Sequence, residues 1–173
     1  MLSIREIKPS NLTVSVEVDP YVPVAVRTFS SPIGAVFYRV GNFETSLVEV
    51  PIEPITGIIR GIKVVSIDRL GATIDESKLI VFQGLPVVTQ ESIPRKRQDD
   101  QREVAVALDG DRLVIDWSGE ESIDTKAVHG RLSFFIGGNT LLAAALDSLT
   151  QAERQSLLAH LRSASPTFDS PPK

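Results

Sequence analysis

Apolar and polar residues alternate in short runs along this chain, which is the pattern of half-buried β-strands. From Leu12 to Val18 every second residue is apolar and the residues between them are polar. A strand points alternate side chains to opposite faces, so this segment is predicted to be a strand with one face in a core. Two further short strands are predicted at residues 24–29 and 35–40.

The clearest unit is a predicted β-hairpin over residues 48–67, VEVPIEPITGIIRGIKVVSI. Pro54 presets the backbone of the turn, and Gly57 supplies the left-handed conformation that closes it. The return arm is rich in β-branched residues, which favour strands. Because Pro51 has no N–H to donate, the first arm is predicted to be an edge strand.

A second predicted hairpin covers residues 103–117, EVAVALDGDRLVIDW, with Asp109-Gly110 in a type I′ turn. It follows a predicted strand at residues 78–82 and a charged stretch, ESIPRKRQDDQRE, at residues 91–103. Positive and negative charges balance in that stretch, so the sequence predicts a solvated loop there.

The next segment can be interpreted as helix or strand. Residues 131–138, RLSFFIGG, are a predicted strand after a predicted loop at residues 118–126. Residues 140–149 have good helix propensity, but the glycine pair before them favours a hairpin turn. We therefore predict that residues 140–146 return as a strand.

A helix is predicted at the C-terminal end of the chain. Thr150 and Glu153 match a capping box, the signature of a helix start, so the helix is predicted over residues 151–162. Its leucines would pack against the sheet: Leu157, Leu158 and Leu161.

These elements predict one globular domain over residues 1–162 and a flexible Pro- and Ser-rich tail over residues 163–173. The predicted fold is mainly β: an antiparallel sandwich or half-barrel of short strands with one C-terminal helix, which is α+β by count.

The composition is that of a soluble globular protein, with 42% hydrophobic and 23% charged residues. The chain has no cysteine, and three charged residues lie within its first eight, which excludes a signal peptide there and predicts a cytoplasmic protein. A net charge of −4 argues against nucleic acid or an anionic membrane as a direct partner.

The negative charge is concentrated in residues 99–124, which carry a local balance of −7 and leave +3 on the rest of the chain. The carboxylates of this acidic segment are Asp99, Asp100, Glu103, Asp109, Asp111, Asp116, Glu120, Glu121 and Asp124. A concentrated negative field would attract a basic partner. Trp117 lies inside the segment and is either a core aromatic or the anchor of an interface.

No pattern of catalytic or metal-ligating residues is found. The two histidines, His129 and His160, lie on different elements without a metal-site spacing. Glu120 and Glu121 are adjacent, so in a strand they would point to opposite faces. We therefore predict no metal, no cofactor and no enzymatic activity, while a small β-fold enzyme that uses carboxylates stays open as an alternative.

The hairpin at residues 48–67 followed by residues 131–161, RLSFFIGGNTLLAAALDSLTQAERQSLLAHL, resembles the hairpin-plus-helix ending of small bacterial immunity proteins. These are cytoplasmic antidotes to toxins of interbacterial competition. The resemblance implies a non-enzymatic inhibitor that covers the active site or an exosite of one cognate toxin, often a basic nuclease. The resemblance assigns no functional residues to this chain.

The leading hypothesis is therefore an acidic immunity protein whose carboxylates steer a basic toxin domain. The predicted contact residues are Asp99, Asp100, Asp109, Asp111, Asp116, Trp117, Glu120, Glu121 and Asp124. The alternative is a structural module of a larger complex, such as a phage particle, whose sheets pair edge to edge. The sequence leaves the oligomeric state open, and the leading hypothesis requires the carboxylates to form one patch.

Overall fold

A computed structural model describes residues 1–19, 21–28, 34–67, 70–71 and 74–164. Phe29, at the end of the strand predicted over residues 24–29, lies outside the described residues, as do residues 165–173 of the predicted tail.

Within the described residues the chain forms fourteen strands, one short 3₁₀ turn at Gln90–Ser92 and one α-helix. The strands are β1 (Ile4–Lys8), β2 (Ser15–Glu17), β3 (Val24–Arg27), β4 (Val36–Gly41), β5 (Leu47–Ile52), β6 (Gly61–Ser66), β7 (Ile80–Gln83), β8 (Leu85–Val88), β9 (Arg97–Gln101), β10 (Ala105–Asp109), β11 (Arg112–Asp116), β12 (Thr125–His129), β13 (Leu132–Gly137) and β14 (Thr140–Leu146). The helix is α1 (Gln151–Ala164).

The strands form two six-stranded sheets and one two-stranded sheet. The N-terminal sheet has the order β2-β3-β6-β5-β4-β9, and the C-terminal sheet has the order β10-β11-β14-β13-β12-β7. The third sheet pairs β1 with β8. Pairing is antiparallel except where β9 joins β4 and β7 joins β12, and both of these parallel strands lie at a sheet edge.

One hydrophobic core joins the two large sheets. Tyr38 and Ile52 of the N-terminal sheet belong to the same buried cluster as Ile115 and Phe134 of the C-terminal sheet. The helix adds Leu157 and Leu161 to this cluster, and each buried leucine contributes about 1.5–3 kcal/mol. The predicted mainly β sandwich with a C-terminal helix is therefore confirmed.

The opposite face of the C-terminal sheet is also covered. Val114, Phe135, Ala143 and Ala145 are buried there, and Ile74 and Leu79 pack against them. These last two residues belong to the segment 74–79, here called the strap, which leads directly into β7. The strap therefore gives this sheet a second, smaller apolar cluster.

Three predictions that depend on short segments of sequence are confirmed. The hairpin at residues 48–67 forms from β5 and β6, and Gly57 closes its turn at φ 75°. Residues 140–146 are a strand, as predicted, and pair with β13. Thr150 and Glu153 form both hydrogen bonds of the capping box, at 2.8 and 3.2 Å.

The prediction that β5 is an edge strand is wrong, because β5 lies between β4 and β6. Pro51 is tolerated there because the chain opposite it leaves the regular ladder. Arg60 donates its N–H to the Pro51 carbonyl at 2.8 Å, while the Arg60 carbonyl accepts from Thr28 instead, also at 2.8 Å. The N–H that proline lacks is therefore not required by a neighbouring strand.

Two predicted loops contain strands. Within residues 91–103 the chain forms β9, which adds in parallel to β4, and β12 begins at Thr125 inside the predicted loop at residues 118–126. The turn between β10 and β11 also differs from the type I′ prediction. Its central residues are Gly110 and Asp111, and φ is positive only at Gly110, whereas type I′ needs both.

Candidate interaction surface

The carboxylates of β9 are neutralised by neighbouring cations. Asp99 accepts two hydrogen bonds from Arg39, at 2.9 and 3.0 Å, and Arg97 lies 3.4 Å from the same carboxylate. The hydrogen bond from Arg39 lowers the pKa of Asp99. This edge of the N-terminal sheet is therefore charged but locally balanced.

Asp100, on the other face of β9, is part of a half-buried network. Its carboxylate accepts a hydrogen bond from the Tyr38 hydroxyl at 2.6 Å and lies 3.3 Å from Arg102 and 3.1 Å from the Met1 α-amino group. Burial alone would raise the pKa of Asp100, but the hydrogen bonds from Tyr38 and the α-amino group outweigh it and the pKa is lowered. Burial and the bond to Asp100 raise the pKa of Tyr38.

Of the remaining predicted contact residues, Asp124 lies directly before β12 and the others lie at opposite ends of β11. Asp109 precedes the β10–β11 turn and Asp111 lies in it, whereas Asp116, Glu120 and Glu121 lie at or beyond the far end of the strand. A five-residue strand spans roughly 15 Å, which exceeds the screening length at physiological salt. The two groups therefore do not share one local field.

Several of these carboxylates accept a hydrogen bond from a backbone N–H group or pair with a cation. Asp116 accepts the Ser118 N–H at 2.8 Å, and Asp124 accepts the Gly138 N–H at 2.8 Å. Glu121 pairs with Arg102 at 2.6 Å. The carboxylates of residues 99–124 are therefore in part neutralised, and Arg102 brings Asp100 and Glu121 together as members of one ion-pair network.

Trp117 is a core residue. Its side chain is buried, with 1% of its surface exposed, and its indole N–H donates to the Leu141 carbonyl at 3.1 Å. The interpretation of Trp117 as an exposed anchor is wrong, because the ring offers a partner no surface.

The two histidines make backbone contacts. The His129 Nε2 lies 2.6 Å from the Leu12 carbonyl, and the His160 Nε2 lies 2.6 Å from the Asp19 carbonyl. Within the described part of the chain, no group of three or more His, Asp or Glu side chains is placed to hold a metal ion. In the same ranges no helix combines the length and apolarity of a membrane span.

The most unusual surface is β7, which exposes three large apolar side chains in succession. The exposed fractions are 61% for Ile80, 54% for Val81 and 48% for Phe82. Among the described residues β7 has one partner strand, β12, so its other edge is unpaired. An apolar edge of this kind is a template for another strand.

The backbone of β7 fixes which groups face the unpaired edge. Ile80 donates its N–H to the carbonyl of Asp124, the residue before β12, at 2.9 Å, and Gly84 donates to the Val128 carbonyl of β12 at 2.8 Å. Because residues alternate along a strand, the N–H groups of Val81 and Gln83 point away from β12. Ile80 and Phe82 pair with Thr125 and the buried Ala127, so both lie on the core side of the sheet, and Val81 lies on the other side.

The other three edges of the large sheets differ from β7, as far as the described residues go. β2 is three residues long and carries the Glu17–Arg27 ion pair. β9 carries Arg97 and two aspartates. β10 is partly covered, because Gly71 donates to the Val106 carbonyl at 2.9 Å. Charge and a covering segment are known protections of sheet edges, and within the described residues the four-residue strand β7 has neither.

A cleft of about 330 Å³ lies beside β7. Phe82 forms one wall, and Ile4, Ile7, Thr125 and Ile136 contribute to the lining. Arg5 and Glu6, which pair with each other at 2.7 Å, contribute polar groups. The cleft could therefore take an apolar side chain next to Phe82.

The strap holds the start of β7 in place. Glu76 accepts a hydrogen bond from Lys126 at 2.8 Å and also pairs with Arg112. Burial would raise the pKa of Glu76, but the hydrogen bonds from Lys126 and Arg112 outweigh it, so the pKa is lowered. Both cations lie over the Phe135 ring, 5.6 and 5.7 Å from its centre.

Gly84 holds the other end of β7. Its φ is +139°, and a Cβ at this position would lie 2.3 Å from the Lys8 carbonyl oxygen. No side chain fits there without moving the backbone, so glycine is required where the chain passes from β7 into β8.

The sequence predicted a strand here but not its exposure. Residues 79–83, LIVFQ, form an uncharged and largely apolar run, which by itself also fits a buried strand. Its position at an edge depends on the pairing order, which the sequence alone does not reveal.

Neither the protein-family models nor the curated proteins give a match to this sequence. The function is therefore argued from the geometry of the surface.

Proposed function

We propose that this chain is a non-enzymatic protein-binding module that takes up an extended protein segment as an additional strand along β7. The observation that carries this proposal is the run of three exposed apolar side chains on a strand with an unpaired edge. Strand addition at β7 is the edge-to-edge pairing that the alternative hypothesis of a structural module in a larger complex requires. The absence of cysteine fits a reducing cytoplasm as its compartment.

Strand addition would satisfy the exposed backbone groups of β7. Each hydrogen bond to the outward groups of Val81 and Gln83 contributes about 0.5–1.5 kcal/mol net. Such bonds do not distinguish between sequences, because every residue of an extended segment except proline has the backbone groups that form them. Specificity must therefore come from side chains.

The cleft beside Phe82 provides a basis for such specificity. In strand addition, pockets select alternate side chains of the added segment. Side chains on the core side of an added strand would lie next to Ile80 and Phe82 and close to the cleft. The favoured partner is thus an extended segment with apolar residues at every second position.

The immunity-type hypothesis stays a prediction. An immunity protein is also a protein-binding module, but the partly neutralised carboxylates give little support to steering by one acidic patch. The exposed edge of β7 is the better-supported contact for a toxin or for any other protein partner.

A peptide titration tests the proposal. The probe copies residues 77–84, SKLIVFQG, between lysine pairs, and the control peptide has proline in place of the residue copied from Val81. We expect amide chemical-shift changes at β7, β12 and residues 4–7 with the probe and none with the control, because proline lacks the N–H. Absence of changes at millimolar peptide, or changes confined to other surfaces, would refute strand addition.

A further inference from the structure

We infer that the strand added to β7 is the β7 of a second copy of this chain, in antiparallel register centred on Val81. This inference rests on the proposed function and names the partner for the same surface. The result would be a two-fold dimer in which the two C-terminal sheets join into one continuous sheet.

The outward backbone groups define the register. With the axis at Val81, the two Val81 residues exchange two hydrogen bonds, and each Gln83 N–H reaches the partner's Leu79 carbonyl. The Leu79 N–H is not required, since it points to the Glu76 carbonyl of its own strap at 3.4 Å. The register therefore forms four hydrogen bonds and needs no change in the strap.

The side chains of β7 are self-complementary in this register. On the core side, Ile80 lies opposite the partner's Phe82, and Phe82 lies opposite the partner's Ile80. Cross-strand pairs of an aromatic and a β-branched residue are favourable. The core-side residues of the strand are thus self-complementary around Val81, as an isologous two-fold interface requires.

Charge also favours β7 as the self-pairing edge. Residues 79–83 carry no charge, so self-pairing brings no like charges together. The same operation on β9, centred on Asp99, would place two aspartates opposite each other, and like charges in that position are destabilising. The charge pattern permits self-pairing at β7 and opposes it at β9.

The exposed apolar area sets the strength of the dimer. The three side chains of each copy offer on the order of 300 Å², below the roughly 800 Å² per partner of a standard stable interface. We therefore expect a reversible dimer with a dissociation constant on the order of 10–100 μM rather than a permanent one. Because the axis uses the unpaired edge of both copies, the assembly closes at two.

Complementary charges at position 81 test the register. Sedimentation equilibrium of the full chain is measured for the wild type, for Val81→Lys, for Val81→Glu and for their equimolar mixture. We expect each variant alone to dimerise at least tenfold more weakly, because two like charges meet at the axis. The mixture should recover a heterodimer, since Lys then faces Glu. Gln101→Lys on the exposed side of β9 is the matched control and should dimerise like the wild type.

A cysteine cross-link provides a second measurement. The chain has no cysteine, so Val81→Cys carries a single thiol. Directly opposed residues of a hydrogen-bonded antiparallel pair have Cα atoms about 5.5 Å apart, within the range of a disulfide. We expect rapid oxidation to a covalent dimer for Val81→Cys and slow oxidation for Gln101→Cys. Equal rates would overturn the register.

The results separate this inference from the proposed function. A wild-type chain that is monomeric at about 500 μM, or a dimer insensitive to Val81→Lys, overturns the second copy as partner. If the peptide of residues 77–84 still binds at β7, the proposed function stands with a different protein as partner. If the peptide fails as well, both proposals fall.

Discussion

Glu76 and Lys126 meet on the outer side of the C-terminal sheet, where the ammonium donates to the carboxylate at 2.8 Å. Arg112 pairs with the same carboxylate, and both cations lie over Phe135. One side chain of the strap therefore binds two strands, β11 and β12, which are separated in the sheet by β14 and β13. This contact fixes the strap, and through it the start of the exposed strand β7.

Removing the Glu76 charge should loosen the strap. We expect Glu76→Gln to lower the free energy of unfolding by about 1–3 kcal/mol, because Lys126 loses its anionic partner and Arg112 keeps only Asp147. The Ile80 amide should also exchange its hydrogen faster. Urea unfolding and hydrogen exchange measure both effects. Glu120→Gln, at an exposed turn, is the control and should change stability by less than about 0.5 kcal/mol.

The acid sensitivity of the fold should depend on Asp100. Its pKa in the folded chain lies below the ordinary 3.8, so its ionised form contributes stability above that value, and this contribution is lost as the pH falls through the folded pKa. We expect the urea midpoint of the wild type to fall between about pH 5 and pH 2. Asp100→Asn should be less stable at pH 7 and lose less on acidification. A profile for Asp100→Asn parallel to that of the wild type would show that the network around Tyr38 does not contribute to the acid response.

The burial of Trp117 has a spectroscopic consequence. As the single tryptophan, it should emit at shorter wavelength in the folded chain than in urea and should resist quenching by iodide. Trp117→Ala should cost about 3–5 kcal/mol of stability. Efficient iodide quenching in the native state would instead indicate an accessible ring.

The capping box should contribute to the stability of α1. Thr150→Ala should lower the free energy of unfolding by about 1 kcal/mol, since the first turn loses its side-chain acceptor. Thr150→Ser keeps that acceptor and is the control. Glu153→Ala should cost more than Thr150→Ala, because Glu153 also pairs with Arg131. Thermal unfolding of the three variants gives the ranking.

Features encoded by neighbouring residues could be predicted from the sequence. The hairpin around Gly57 and the capping box of Thr150 and Glu153 each depend on a few adjacent positions. Pairings between distant segments could not be predicted in this way. β9 is polar throughout and becomes a strand because β4, about sixty residues earlier, offers it an edge and Arg39 neutralises Asp99.

The surface was harder to predict than the core for the same reason. The acidic residues are close in sequence, but β9 joins one sheet and β11 the other, and Arg39 and Arg102 neutralise three of the carboxylates, which are those of Asp99, Asp100 and Glu121. Ile80 and Phe82 look like core residues by composition. Their exposure follows only from the place of β7 at the end of the strand order.

Gly84 has a consequence for recognition. A strand that is free at one edge could slide by a residue and show its partner the opposite set of side chains. The tight approach of Gly84 to the Lys8 backbone prevents such slippage, while Glu76 restrains the strand from its other end. The molecule therefore presents one fixed order of side chains along this edge, and a partner strand must pair with it in a single register.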